Sequence, residues 1–404
     1  MQADILKTNL FESHSVRLIS WLFAIAFVME AAYIERTFSI AKWIEYGSLC
    51  FALLLSIGMH FKRRTPISIE LIILFSIAAY LSLLTMANDG PLQLIARDML
   101  PIVAICLFVS SLKSEELPSV LSLWCVPLCI LLMIDIATML AFPDGMYSTD
   151  TIYASYTANW FLGYKTDRLS TVFPLLVFLS FIQLRKFGQI KPLFYFASAL
   201  VVLDTVLSDG SAALSGVVFF IVCTALLGIK GFFFSPSLNK LLDYRIFLTI
   251  YILVVVGIVV MQNSPIMETM SGFFSKSTSL SGRTPLWHTT MQSISDSFVL
   301  GKGLLGSEDY IFITGGFLNA HNQLLEIVTE GGLVALCLNI ALMIVAFRQA
   351  SRNSGSIVFL YGLYSLLLVG ITSAKLAYDP MFFCLLFLIG RCQESGFHIR
   401  KSHV

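Results

Sequence analysis

Charge is what this sequence has least of. Among 404 residues there are 26 Lys and Arg and 25 Asp and Glu, 13% of the chain, where a soluble protein carries about a quarter. The net charge is only +1, so there is no basic field to hold nucleic acid. The polar surface needed by a water-soluble enzyme, a coiled coil or a disordered adaptor is missing as well. There is no internal repeat, and no matched pair of Gly/Pro-interrupted spans of the kind that marks inverted-repeat transporters. The eight cysteines, Cys50, Cys106, Cys125, Cys129, Cys223, Cys337, Cys384 and Cys392, lie in apolar runs or the basic C-terminal tail. No disulfide framework is expected from them, and Cys125 with Cys129, at i and i+4 on an apolar helix, reads as packing. The opening MQADILKTNLFESHSVR has acidic residues and no short apolar core before a small-residue cleavage site, so it is not expected to be a cleaved signal peptide.

What the chain does have is hydrophobic length: 57% of its residues are hydrophobic, and its mean hydropathy is +0.83. A helix needs roughly 17 to 25 apolar residues to cross about 30 Å of hydrocarbon. Stretches of that character fall near 18–34, 44–61, 67–87, 99–112, 117–141, 169–184, 193–208, 211–229, 246–262, 323–347, 356–373 and 379–391. The fourth and last are short, and the seventh and eighth nearly touch. The expected fold class is an all-α polytopic membrane protein of about twelve transmembrane helices, forming one domain over 1–404. Short loops rich in Lys and Arg stay cytoplasmic. With both termini cytoplasmic, seventeen of the 26 cations fall inside and nine outside, and this orientation is the expected one.

Two external segments are much longer than the other connections, 142–168 and 263–322, and long loops on a compact scaffold are where function collects. The second holds SLSGRTPLWHTTMQSISDSFVLGKGLLG. Thr284 and Pro285 read as N-cap and first helical residue. Trp287, Met291, Ile294 and Phe298 give one apolar stripe, His288, Gln292 and Ser295 lie elsewhere, and Gly301 is the stop. Such a helix is too short and polar to span, so it lies along the membrane surface or roofs the bundle. Arg283 stands before its N-terminus, where backbone N–H groups and a guanidinium fork suit phosphate; pairing with an acidic neighbour or a lipid headgroup is the alternative. His321 stands at the mouth of the tenth span, and Asn322, Glu326 and Glu330 follow at i, i+4 spacing as a polar stripe facing a cavity or the bundle interior. A histidine there suits a general base, or it caps the helix or binds interfacial water. Only His288, His321 and scattered carboxylates lie on the external side, without the spacing of a metal site.

On Gly282-Arg283 with Trp287, Gly301-x-Gly303, and Ala320-His321-Asn322 followed by Glu330-Gly331, the chain resembles the O-antigen ligase and Wzy-type polymerase superfamily over roughly residues 195–345. The segments FPDGMY (Phe142 to Tyr147) and NWFLGYKTDR (Asn159 to Arg168) are similar to the external loop of repeat-unit polymerases. Ligases of this superfamily commonly carry an arginine after the seventh span, whereas this chain has Leu207-Ser208-Asp209-Gly210-Ser211-Ala212. The resemblance therefore leans toward the polymerases.

It implies a GT-C-like bacterial enzyme of the cytoplasmic (inner) membrane, with its active site in the large extracytoplasmic loop facing the periplasm or cell exterior. The donor and acceptor would be undecaprenyl-pyrophosphate-linked glycans, polymerised into O-antigen or capsular polysaccharide with inversion at carbon. His321 would be the base and Arg283 the pyrophosphate anchor, both catalytic. Asn322, Glu330, Trp287 and His288 would bind substrate, and Lys165, Arg168 and Arg97 are the candidates for a second cation. No metal or other cofactor is implied. The implied partners are membrane lipids, a chain-length regulator and a repeat-unit flippase. A ligase that transfers the glycan to lipid A-core is the nearest alternative. A transporter or flippase is the more distant one, since only Asp135 and Asp204 lie deep in the spans.

Overall fold

The computed structural model describes residues 2–148, 158–165, 168–227, 243–260, 283–352, 354–373 and 377–392. In chain order the helices are α1 (Gln2–Met29), α2 (Ala32–Thr37), α3 (Ala41–Arg63), α4 (Ile69–Ala87), α5 (Leu92–Ser111), α6 (Leu117–Ala141), α7 (Leu169–Phe187), α8 (Pro192–Leu207), α9 (Ser211–Leu227), α10 (Tyr244–Val260), α11 (Arg283–Ser295), α12 (Ser307–Thr314), α13 (Gln323–Arg352), α14 (Ile357–Gly370) and α15 (Pro380–Arg391). Among the described residues there is no strand, only the isolated bridges Tyr147 with Asn159 and Trp160 with Gly163.

Six of these helices, α3 to α7 and α13, are long and apolar enough to cross a membrane, and six shorter apolar ones lie in α1, α8, α9, α10, α14 and α15. Together they fall on the twelve expected stretches. Their outward faces present Phe51, Leu54, Ile72, Ile130, Phe196 and Leu253 to the surroundings. Apolar surface on that scale calls for an apolar solvent, so this is a membrane protein. Inside, α1 packs on α3 and α6, α4 on α5 and α13, and α9 on α14. The buried Trp124 of α6 lies among Phe23, Phe27, Phe108 and Phe178, with ring centroids 5.6 to 6.1 Å away. Its indole N–H donates to the Ser20 carbonyl at 3.1 Å, as a buried tryptophan requires.

Contacts sort the connections into two poles. At one, Arg63 forks onto Glu116 at 2.8 Å and also donates to the Ser111 carbonyl, Arg185 donates to Ser114 Oγ, and Gln349 meets Glu70. At the other, Tyr80 donates to the Leu300 carbonyl at 2.6 Å, Asn88 to that of Lys302 at 3.0 Å, and Asn322 to that of Ile371 at 2.9 Å. Tyr80, Asn88, Leu300, Lys302, Asn322 and Ile371 thus gather at one end of the bundle.

Helix α13 is broken one third of the way along, where Gly332 takes φ 60° and ψ −162°. The break frees backbone groups that an apolar interior cannot leave unpaired, and the segment after α11 replaces the lost bonds. Leu333 N–H donates to the Phe298 carbonyl at 2.9 Å and Val334 N–H to that of Val299 at 3.3 Å, while Gly303 N–H donates to the Glu330 carbonyl at 2.8 Å and Lys302 N–H to that of Thr329 at 3.1 Å. Two glycines make the approach possible. Gly301 has φ +82°, and a Cβ there would strike the Glu330 carbonyl and the Gly332 nitrogen; Gly303 has φ +86°, and its Cβ would lie 2.7 Å from Thr85 Cα.

Several boundaries differ from expectation. Helix α5 begins at Leu92 rather than near residue 99, because Pro91 starts it; this puts Arg97 and Asp98 on a helix. The roof helix α11 already includes Arg283, so Thr284 is not its cap, and it ends at Ser295, so Phe298 lies beyond it and is half exposed. Trp287 and Ile294 are buried, which makes the helix a roof against α13 and α12. Helices α2 and α12 were not expected. Of the long loops, residues 149–157, 166–167 and 263–282 lie outside the described residues.

Gly301→Ala is expected to lower thermal stability in detergent by about 1–3 kcal/mol, through backbone strain and the clash with α13. Gly188→Ala, at φ +67° with nothing within 4 Å of the added carbon, should cost less; equal losses would mean that the close approach is unimportant.

Candidate active site

The His321 loop is assembled from three sides. Asn322, wholly buried, accepts from the N–H groups of Leu324 and Leu325 at 3.0 Å each, and so caps α13. The Ala320 peptide is clamped at both ends: its carbonyl accepts from the Trp287 indole at 3.1 Å, and its N–H donates to Glu326 Oε2 at 2.8 Å. His321 N–H donates to Asn319 Oδ1 at 2.9 Å. These bonds hold His321 at φ +48°, a conformation a non-glycine residue keeps only when its surroundings enforce it. Its ring stands edge-on to Phe317, 5.9 Å between centroids. The clamp also brings α11 to this loop: Arg283 is one helical turn before Trp287, although its own side chain lies outside the described residues.

Beneath the loop, the polar stripe of α13 turns into the bundle. Glu330 is buried; Oε1 accepts from Leu305 N–H at 3.2 Å and lies 3.5 Å from the Tyr310 hydroxyl, and Oε2 has no hydrogen-bond partner among the described residues. Burial, then the charges of Glu326 and Glu330, hold the Tyr310 hydroxyl well above its usual pKa, so it stays a donor. Tyr378 is pushed the same way by burial first and then by Glu330 and Glu326. Arg97, partly exposed, is forked onto its neighbour Asp98 at 2.6 and 2.8 Å. His288 is exposed on α11, with its Nε2 3.2 Å from the Gln292 amide.

The 142–168 segment supplies two very different cations. Arg168 is wholly buried: its guanidinium lies 3.1 Å from Asp135 and 3.9 Å from Asp204, donates to the Gly163 carbonyl at 3.0 Å, and sits 5.3 Å from the Trp160 ring centre. Asp135 in turn accepts from Leu162 N–H at 2.8 Å. Lys165 instead reaches the α8–α9 turn, 3.7 Å from Asp209. That is the turn whose sequence lacks an arginine, and Lys165 places a cation beside it. Helix α9, which follows that turn, and the His321 loop both meet the end of α14: Val369 lies against Gly216, Gly370 against Gln323, and the Ile371 carbonyl accepts from Asn322.

Four residues expected to touch substrate are therefore built into the fold. Arg168 and Trp287 are wholly enclosed, Asn322 is spent on the helix cap, and Glu330 is 3% exposed. Lys165, Arg97, His288 and His321 keep accessible surface. Glu326, Tyr310 and Tyr378 were not singled out as site residues; Glu326 alone carried a signal, its place in the i, i+4 stripe.

The fold is thus a polytopic helical bundle with His321 held at one pole in a left-handed backbone conformation. Residues 194–340 match the family model described as O-antigen ligase, a stretch that runs from α8 through the break in α13 and takes in Arg283, Gly301, Gly303, His321 and Glu330. Over that stretch, a little over a third of its length, the chain is similar to the O-antigen ligase family. No curated protein matches the chain.

Arg168→Ala leaves two buried carboxylates without their cation and should destabilise the protein by about 3–5 kcal/mol, read as a fall in the detergent unfolding midpoint; a stable, fully folded variant would contradict the network. Trp287→Phe keeps an aromatic ring, though a smaller one, and removes the bond to Ala320; it is expected to cost about 1–3 kcal/mol for the carbonyl left unpaired, with the lost ring volume adding to that. If that variant matches the wild type in stability, the indole does not clamp the loop.

Proposed function

We propose that this protein polymerises undecaprenyl-pyrophosphate-linked oligosaccharide repeat units into O-antigen or capsular polysaccharide at the outer face of the bacterial cytoplasmic membrane. The observation that supports this most is the enforced left-handed His321, clamped through Ala320 to the helix that begins at Arg283. In this reading the acceptor sugar hydroxyl attacks the anomeric carbon of the donor glycan. His321 takes the hydroxyl proton as the new glycosidic bond forms, and the bond to pyrophosphate breaks with inversion, releasing undecaprenyl pyrophosphate. Arg283 neutralises charge on the departing group. Lys165, at the α8–α9 turn, is the second cation. Two cations on a good leaving group do the work that a metal ion would otherwise do.

The bias of lysine and arginine supports an outward-facing His321 pole, the side on which this reading has lipid-linked repeat units assembled. Ligation to lipid A-core is the second reading, favoured by the description of the matching family. It uses the same donor and the same His321 chemistry with a different acceptor.

Purified protein in lipid nanodiscs, given the lipid-linked repeat unit, should produce a ladder of lengthening glycans. His321→Ala should reduce its rate by about 10²- to 10⁴-fold, and Arg283→Ala by about 10²- to 10³-fold. A ladder untouched by either change would sink the catalytic reading, and a single addition seen only with lipid A-core would establish the ligase.

A further inference from the structure

A second candidate site lies at the same pole, away from His321. A cavity of about 310 Å³ opens between α2, the start of α3 and residues 146–147 and 158–163, lined by Glu35, Arg36, Lys42, Tyr147, Asn159 and Gly163. That volume is within the roughly 300–1,000 Å³ of small-ligand sites.

Its floor is firmly built. Met146 N–H donates to the Asn159 carbonyl at 2.8 Å, the Trp160–Gly163 turn closes on itself at 3.0 and 3.2 Å, and Phe161 accepts from Tyr33 N–H at 3.0 Å. Below the floor, Arg168 holds the Gly163 carbonyl and Asp135 holds Leu162 N–H. The buried ion network that offers no surface to a ligand thus fixes a surface that does.

The wall is α2, a helix that contributes no buried residue to the core. Glu35 pairs with Lys42. Arg36 stacks over the Tyr147 ring, 4.9 Å from its centre, and no carboxylate pairs with it among the described residues. The stacking holds the guanidinium plane against the ring, which leaves the N–H edge of the fork pointing away from that contact. A fixed donor fork, a carboxylate acceptor and an ammonium around an open cavity match ligands dense in hydroxyls that both donate and accept. They do not match an acyl chain.

We infer that this groove is a saccharide-binding subsite, which holds sugar rings of the lipid-linked glycan against α2 while its pyrophosphate end lies toward Lys165. The inference rests on the glycan-transfer reading above. The segment from Asn159 to Lys165 connects the two places: Asn159 lines the groove, and Lys165 ends beside Asp209.

The test uses full-length protein in phosphatidylethanolamine–phosphatidylglycerol nanodiscs. The probe is the delipidated oligosaccharide that mild acid releases from the host strain's own lipid-linked pool, with binding followed by saturation-transfer NMR and calorimetry. Arg36→Ala and Glu35→Gln, at surface positions of α2, should each weaken saccharide binding by roughly tenfold, the scale of one lost charge-assisted contact. Lys186→Ala, exposed at the opposite pole, should not change it, and His321→Ala should leave it intact. Unchanged affinity in both α2 variants overturns the inference. So does an Arg36-dependent affinity for glycerol 3-phosphate without one for the oligosaccharide, which would mark a lipid-headgroup site. The two readings fail differently. If only the groove is wrong, His321→Ala still slows the ladder by about 10²- to 10⁴-fold. If only the catalytic reading is wrong, the ladder survives His321→Ala while saccharide binding still depends on Arg36.

Discussion

A helix inside an apolar bundle can be interrupted only if something else satisfies the backbone groups the break sets free. Here the interruption at Gly332 is satisfied by residues 298–303, and much of the His321 pole follows from that exchange. The chain leaving α11 must pass close against α13, so glycine is required at 301 and 303. Leu304 N–H is then delivered to Thr85 Oγ1 at 2.8 Å, which ties the same segment to α4. The short helix α12 is carried inward, its Tyr310 beside Glu330. Above it, the first turns of α13 keep their direction, and the Asn322 cap and the Ala320 clamp fix where His321 stands.

The sparse charges of this protein divide into those that are consumed and those that are offered. Arg63 with Glu116 closes one pole, and Arg168 with Asp135 and Asp204 anchors the 158–165 segment at the other. An ion pair so buried is a poor source of net stability but a strict constraint on geometry, because removing either partner strands the other. Arg36 and Lys165 remain at the surface, each set in place by what the buried network holds. The outer cations thus form a hierarchy, with interior ones positioning exterior ones.

Much of the fold was legible along the chain. The period and length of apolar runs mark α3 to α7 and α13, because a span must be apolar over most of its length whatever it packs against. The roof helix was legible in Pro285 and in the stripe of Trp287, Met291 and Ile294. Helices α2 and α12 were not, being too short to show a period, and α5 hid its first turn behind the polar residues Gln93, Arg97 and Asp98. Within the site, the pairing of Gly301-x-Gly303 with Glu330-Gly331 could be listed in order but not explained; the explanation is a backbone exchange between two segments.

Composition and hydropathy by themselves determined the solvent of this protein and its helical class, since a chain so short of charge has no polar surface to present to water. Residue type and local spacing also determined that His321 stands at a helix mouth. Only the tertiary structure decided which polar residues are sealed in the bundle and which keep accessible surface. Arg168 and Lys165 are three positions apart in the same loop, yet one is sealed between two carboxylates and the other reaches the α8–α9 turn. The difference lies in Asp135, Asp204 and Asp209, brought there by other helices, and burial of a charge depends on where its partner arrives rather than on its own neighbours in sequence.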